Sequence, residues 1–170
     1  MFAHLPRDLA LNSIWKSRSL PMLKVFAWLL MHDRLNTRDL MLRKNWHLNT
    51  GPDCVLCDSA VIESRDHLFF ECVFAQQCWN TLDIHWDCTL PFTDRFAQAK
   101  SSFVGPCFME VVACAAWNIW KRNDLIFQGQ HASFGRWRVR FQSDLLLHRF
   151  RVKSALVQPL VDWLLHIFVN

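Results

Sequence analysis

Apolar residues recur at helical spacing along most of the chain. Leu23, Phe26, Ala27, Leu30 and Met31 fall at i, i+3, i+4, i+7 and i+8, and Pro21 suits the first turn of such a helix. Val25, Trp28 and Leu29 make its other faces apolar too, which predicts a helix buried on more than one side or awaiting a partner. Thr37 is placed to cap a short helix holding Leu40, Met41 and Lys44. Asn49-Thr50-Gly51-Pro52-Asp53 is turn chemistry that delivers the chain to Cys54. Phe74 to Leu82 reads as another short helix, and Leu90-Pro91 and Gly105-Pro106 punctuate the middle. From Pro106 a long helix is expected to about Phe127, stopped by Gln128-Gly129-Gln130, with further helices over Ser133–Lys153 and Leu156–Val169. Strand-period alternation of useful length is missing, and there is no internal repeat. The expected fold is mainly α, with a soft boundary near residue 90 that separates a first domain, 1–90, from a helical extension, 91–170.

The segment from Ser133 carries a second pattern. At 100° per residue Phe134, Trp137, Phe141, Leu145, His148 and Val152 form one stripe. Arg136, Arg140 and Arg151 flank it on one side, and Arg138, Arg149 and Lys153 on the other. Stems that cover apolar surface while their charged heads reach water account for this split; a nucleic-acid surface is the other reading.

Composition narrows the classes. Of 170 residues 52% are apolar and 20% charged, enough for a core and unlike a disordered tail. There is no Tyr, and no two Asp are adjacent, so no Tyr-x-Asp-Asp polymerase signature exists in this chain. Four scattered Gly leave no phosphate-cradling loop. Residues 16–44 carry Lys16, Arg18, Lys24, Arg34, Arg38, Arg43 and Lys44 against Asp33 and Asp39, a net of +5. These seven are the candidate nucleic-acid contacts, with a solvated face as the bland alternative. Residues 131–153 are also at +5, and residues 53–72 (Asp53, Asp58, Glu63, Asp66 and Glu71 against Arg65) at −4. Met1 to Leu20 lacks the apolar run of a secretory signal. The apolar stretch Val104–Trp120, broken by Glu110 and Asn118, falls short of the roughly 20 residues of a bilayer span and reads as a core helix. The expectation is an intracellular protein, nuclear or cytoplasmic, without membrane contact and with reduced thiols.

The sharpest chemical signal is Cys54-Val-Leu-Cys57, nine residues, His67, four residues, Cys72. Two thiolates from a Cys-x2-Cys turn, one imidazole and a third thiolate make a tetrahedral zinc set with a net charge of −1. A closed four-ligand set marks one structural Zn²⁺ rather than a catalytic one, which keeps a position open for water. The alternative is that the cysteines are small core hydrophobes and His67 a satisfied core histidine. A thioredoxin-like role is disfavoured because no βαβ pattern surrounds the pair. Cys78 is the substitute ligand, and Cys88, Cys107 and Cys114 read as core. Phe69, Phe70 and Phe74 can stack on bases but at this spacing read as core. A Cys88–His85 nucleophile pair can be written down, but nothing places an orienting group beside it, so no enzyme is expected.

Several runs in order carry a family resemblance: Ile14-Trp15-Lys16-Ser17, Leu20 to Trp28, Asp33-Arg34-Leu35-Asn36-Thr37-Arg38-Asp39, Cys54-Val55-Leu56-Cys57, Arg65-Asp66-His67-Leu68-Phe69-Phe70-Glu71-Cys72, and Phe74-Ala75 leading to Trp79. Over residues 13–86 the chain resembles the zinc-binding domain downstream of the reverse transcriptase in plant LINE-type retrotransposons. Trp117 to Asn123 resembles the tail that follows it, one residue shorter between Lys121 and Arg122. The resemblance implies Cys54, Cys57, His67 and Cys72 as metal positions and a non-catalytic module that helps a reverse transcriptase hold RNA or DNA. The alternative is a helical module that docks on a polymerase domain or on itself, with no retained nucleic-acid role.

Overall fold

The computed structural model describes residues 9–48, 51–57, 59–127 and 133–169. The expected turn at Asn49-Thr50, Asp58 of the acidic segment and the stop at Gln128-Gly129-Gln130 lie outside them. Among the described residues eight α-helices follow in order: α1 Leu9–Lys16, α2 Pro21–Met31, α3 Arg38–Arg43, α4 Val73–Thr81, α5 Phe92–Ser102, α6 Phe108–Phe127, α7 Phe134–Leu146 and α8 Ser154–Val169. A π-helical turn, His67–Glu71, precedes α4, and a 3₁₀ turn, Leu147–Phe150, follows α7. The described residues form no strand; one antiparallel bridge pairs Asp53 with Ile62. No helix among them is long and apolar enough to cross a membrane.

Local chemistry explains the helix bounds. Pro21 opens α2 at a position whose N–H has no helical partner. Thr37 caps α3, its hydroxyl accepting from the Leu40 N–H at 3.4 Å. Ser133 caps α7 in the same way through Arg136 N–H. Helices α2, α3 and α4 each end in a left-handed residue, Asp33, Asn45 and Asp83, with φ of 52°, 56° and 54°. In each, the next N–H reaches back five residues, Arg34 to Leu29 O, Trp46 to Met41 O and Ile84 to Trp79 O, at 2.9–3.0 Å. This is the Schellman closure that glycine usually makes. In a chain with four Gly, Asp and Asn stand in for it.

The core is aromatic, and helices from both halves of the chain meet in it. Leu23, Phe26, Ala27, Leu30 and Met31 of α2 are buried, while Met22 and Val25 stay about half exposed, so α2 buries one face rather than several. Phe26 packs edge-on against Phe69 and Trp117, with centroids at 6.2 and 5.2 Å. Phe70 meets Trp86, Phe92 and Phe96. The predicted stripe of α7 is buried through Trp137, Phe141, Leu145, His148 and Val152. The helix itself stops at Leu146 instead of running to Lys153. His148 and Val152 stay in register because Arg151 and Val152 donate back to His148 O at 2.8 and 2.9 Å. Val104 is 92% exposed, so the buried part of the Val104–Trp120 stretch begins at Phe108. Gly105 lies so close to Trp163 and Phe103 that a Cβ there would collide with both.

Candidate metal centre

A short hairpin presents the Cys-x2-Cys pair. Cys54 N–H donates to Val61 O at 2.8 Å and Glu63 N–H to Pro52 O at 3.0 Å. Ala60, at φ 46°, helps reverse the chain. The second pair rests on the π turn. Ser64 starts it, its hydroxyl accepting from His67 N–H at 3.1 Å. Cys72 N–H then donates to His67 O at 2.7 Å, an i to i+5 bond. In an α-helix, positions five apart lie about 140° from each other. The wider π turn brings His67 and Cys72 together, which is what the four-residue gap requires.

The ligand atoms of Cys54, Cys57, His67 and Cys72 all lie within 4.8 Å of one another. The sulfurs of Cys54 and Cys72 are 3.9 Å apart, and Cys57 Sγ is 3.3 Å from His67 Nε2. A tetrahedron with Zn–S of about 2.3 Å and Zn–N of about 2.0 Å has edges of roughly 3.5–3.8 Å. The donor set therefore fits one zinc ion in both chemistry and spacing. The surroundings favour one thiolate, that of Cys72. Cys54 S–H donates to Cys72, which holds the Cys72 thiol down at about 5 despite its burial; the N–H groups of Ala75 and Phe74, at the start of α4, act in the same direction. The same bond, followed by burial, pushes Cys54 up, and the Leu56 N–H partly offsets this.

Contacts outside the motif hold the four donors in place. Glu63, fully buried, accepts from Arg38 N–H at 3.3 Å, and its other oxygen lies 3.7 Å from Arg38 Nε. The Arg38 guanidinium also donates to Gly51 O, so α3 is tied to both ends of the hairpin. Arg65 donates to Met31 O at the end of α2 at 3.3 Å and stacks 3.6 Å over Phe92. Trp79 Nε1–H donates to Phe69 O at 2.6 Å, inside the π turn. Nothing in the spacing of the motif pointed to Glu63 or Trp79.

The remaining cysteines stand apart. Cys78 is fully buried on α4 and outside the clustered donors. Burial pushes the thiols of Cys78, Cys88, Cys107 and Cys114 up, Cys107 to about 11. A raised Cys88 is a poor nucleophile, and His85 is exposed, 3.8 Å from Asp83. Phe69, Phe70 and Phe74 are all buried.

The seven basic candidates do not share one environment. Lys16, Arg18, Arg34, Arg43 and Lys44 are exposed and Lys24 is half-buried, but Arg38 is 3% exposed and spent on the hairpin. Arg43 lies 2.8 and 3.0 Å from Asp33 and Asp39. Arg34 and Lys44 lie over the rings of Trp28 and Trp46. Lys24 donates to Trp15 O at 2.9 Å.

No curated protein and no solved structure matches the chain. Residues 1–79, which contain all four donors, match the family model described as zinc-binding in reverse transcriptase.

Proposed function

We propose that this chain is a non-catalytic, zinc-stabilised module that helps a reverse transcriptase hold nucleic acid. The observation that carries the reading is the closed Cys₃His donor set inside the segment that matches a reverse transcriptase zinc-binding model. Four protein donors leave no coordination position for a reacting water, so the metal's role is to hold the fold. The order of motifs from Ile14 to Trp79 supports a plant LINE-type element as the source. Structural zinc in small sites contributes on the order of 10–16 kcal/mol of apparent free energy. That is comparable to the roughly 5–15 kcal/mol of a whole domain. Purified protein should carry one zinc per chain, and a chelator should unfold the hairpin and its neighbours cooperatively in a circular-dichroism melt. A melt indifferent to the chelator, or no zinc by metal analysis, sinks the reading of the site. Salt-dependent titration with single-stranded RNA tests the nucleic-acid role.

A second reading, a docking or self-associating module, is favoured by the apolar surface of the C-terminal helices. A groove of about 480 Å³ between α7 and α8 is lined by Val139, Leu146, Val161, Leu164 and Leu165 among others. Val139 and Leu165 are 61% and 55% exposed. Light scattering separates the readings: a monomer at high concentration with retained RNA binding supports the first.

A further inference from the structure

One exposed face joins cations that are far apart in sequence. Lys24 of α2 donates to Trp15 O. Lys16 of α1 and Lys100 of α5 line one cleft of about 280 Å³, with the hydroxyl-bearing Ser13 and Ser17. Arg151, just before α8, donates from Nε to Arg18 O at 3.1 Å. These contacts bring together five cations, four of them exposed, and the one carboxylate on the cleft is Glu110. Glu110 is 7% exposed and accepts the Arg18 N–H, so it faces the protein more than solvent. Beside these cations the Trp15 side chain is 52% exposed, whereas Trp79 and Trp137 are fully buried. Trp46 is also about half exposed, but its ring already carries the Lys44 ammonium at 5.0 Å, and Arg43, the other cation at the end of α3, is paired with Asp33 and Asp39.

We propose that Trp15, Lys16, Arg18 and Lys24, together with Lys100 and Arg151 from beyond the family-matched segment, form one composite face for single-stranded nucleic acid. The proposal rests on the nucleic-acid reading above and adds which surface is used and which strand state it takes. An open indole gains a contact only from a base whose face is free, and a duplex hides its base faces. The cations track the phosphates, and the cleft between Lys16 and Lys100 has room for one. The C-terminal extension thus takes part in binding through Lys100 and Arg151, and not only as packing.

Fluorescence anisotropy with a labelled oligo-uridine RNA, at several salt concentrations, tests it on the full chain loaded with zinc. Five phosphate contacts on a single strand give a log–log salt slope of about −3.5. The K100E/R151E variant should lose about tenfold or more in affinity. The milder K100Q/R151Q variant, which removes both charges without reversing them, should flatten the slope by about 1.4. Trp15→Ala should cost about tenfold, with Trp15→Phe restoring most of it. The charge-matched R136E/R140E variant on α7 should lose much less than K100E/R151E. Binding by wild type that both Lys100/Arg151 variants leave within about threefold overturns the composite face and spares the nucleic-acid reading. Duplex RNA bound as tightly as the single strand, or a Trp15→Ala variant that binds normally, overturns the strand preference. A wild type that binds no RNA overturns both.

Discussion

Glu63 is the residue whose loss should reveal how the hairpin is held. Glu63→Gln keeps the side chain's shape and its acceptor for the Arg38 N–H, 3.3 Å away. It removes the charge facing Arg38 Nε at 3.7 Å and turns an amide donor or a weaker acceptor toward a guanidinium that is 3% exposed. Gly51 O remains as a partner, but it is neutral. Breaking a buried ion pair from one side costs about 3–5 kcal/mol, because the remaining charge stays desolvated. For a chain of this length about 3 kcal/mol lowers Tm by roughly 6–12 °C. The pair lies between α3 and the hairpin that carries Cys54, so the loss should also weaken zinc binding. About tenfold is the usual scale for groups that orient a ligand.

The assays are a thermal melt of the zinc-loaded protein and competition for zinc with a chromophoric chelator. Neutralising both partners, as Arg38→Met with Glu63→Gln, should recover much of the lost Tm, since no charge is left desolvated and the amide oxygen still accepts the backbone N–H at position 38. A Glu63→Gln protein that melts within about 2 °C of wild type refutes this account, because the Arg38–Glu63 contact would then contribute no more than an exposed pair does.

Three further outcomes follow from the structure. Cys57→Ser should abolish stoichiometric zinc, by metal analysis, and make the melt insensitive to chelator. Asp83→Gly should raise stability by about 0.5–1 kcal/mol in urea unfolding, since Asp83 is in the left-handed region at φ 54° and its side chain is 82% exposed. His148 is buried with Nδ1 on Asp144 O at 3.1 Å, and burial lowers its pKa. With a folded pKa below the unfolded value of about 6.5, the unfolded chain binds more protons, so stability is full above that pH and falls as pH drops through it. Wild type should therefore lose stability relative to His148→Leu as pH falls below the unfolded value of about 6.5, in parallel melts; a difference independent of pH refutes the assignment.

How far the fold could be read from sequence depended on whether local chemistry controlled each element. Pro21, Thr37 and Ser133 act within one turn of their own helix, and the helices they start were legible. Helix α5 was not, although Phe92, Phe96 and Ala99 keep helical spacing, because the stripe is short and shared with Arg95, whose burial depends on Leu90 O, Cys88 O and the rings of Phe70 and Phe92. The early end of α7 was illegible for the opposite reason. The stripe through His148 and Val152 continues past the helix, since a 3₁₀ turn followed by back-bonds to His148 O keeps the same side chains inward. Periodicity reports which residues are buried and does not distinguish the two backbones that can bury them.

The donor set divides along the same line. Spacing alone named all four residues, because each pair closes through one local turn. Spacing could not name what holds the two turns against each other, since those contacts reach across 25 residues for Arg38 to Glu63 and 34 for Arg65 to Met31. The π turn shows where local and long-range demands meet. Four residues between His67 and Cys72 suit no α-helical face, and the i to i+5 bond solves the spacing. The turn also sets the Phe69 carbonyl where Trp79, one helix later, donates to it at 2.6 Å. Trp79 is 2% exposed and its ring also packs on Trp86, 5.3 Å away, so the anchor of the π turn is part of the aromatic core. Loosening of the metal centre should then propagate into the packing between α4 and its neighbours, which is why chelation is expected to melt the surrounding helices and not the hairpin alone.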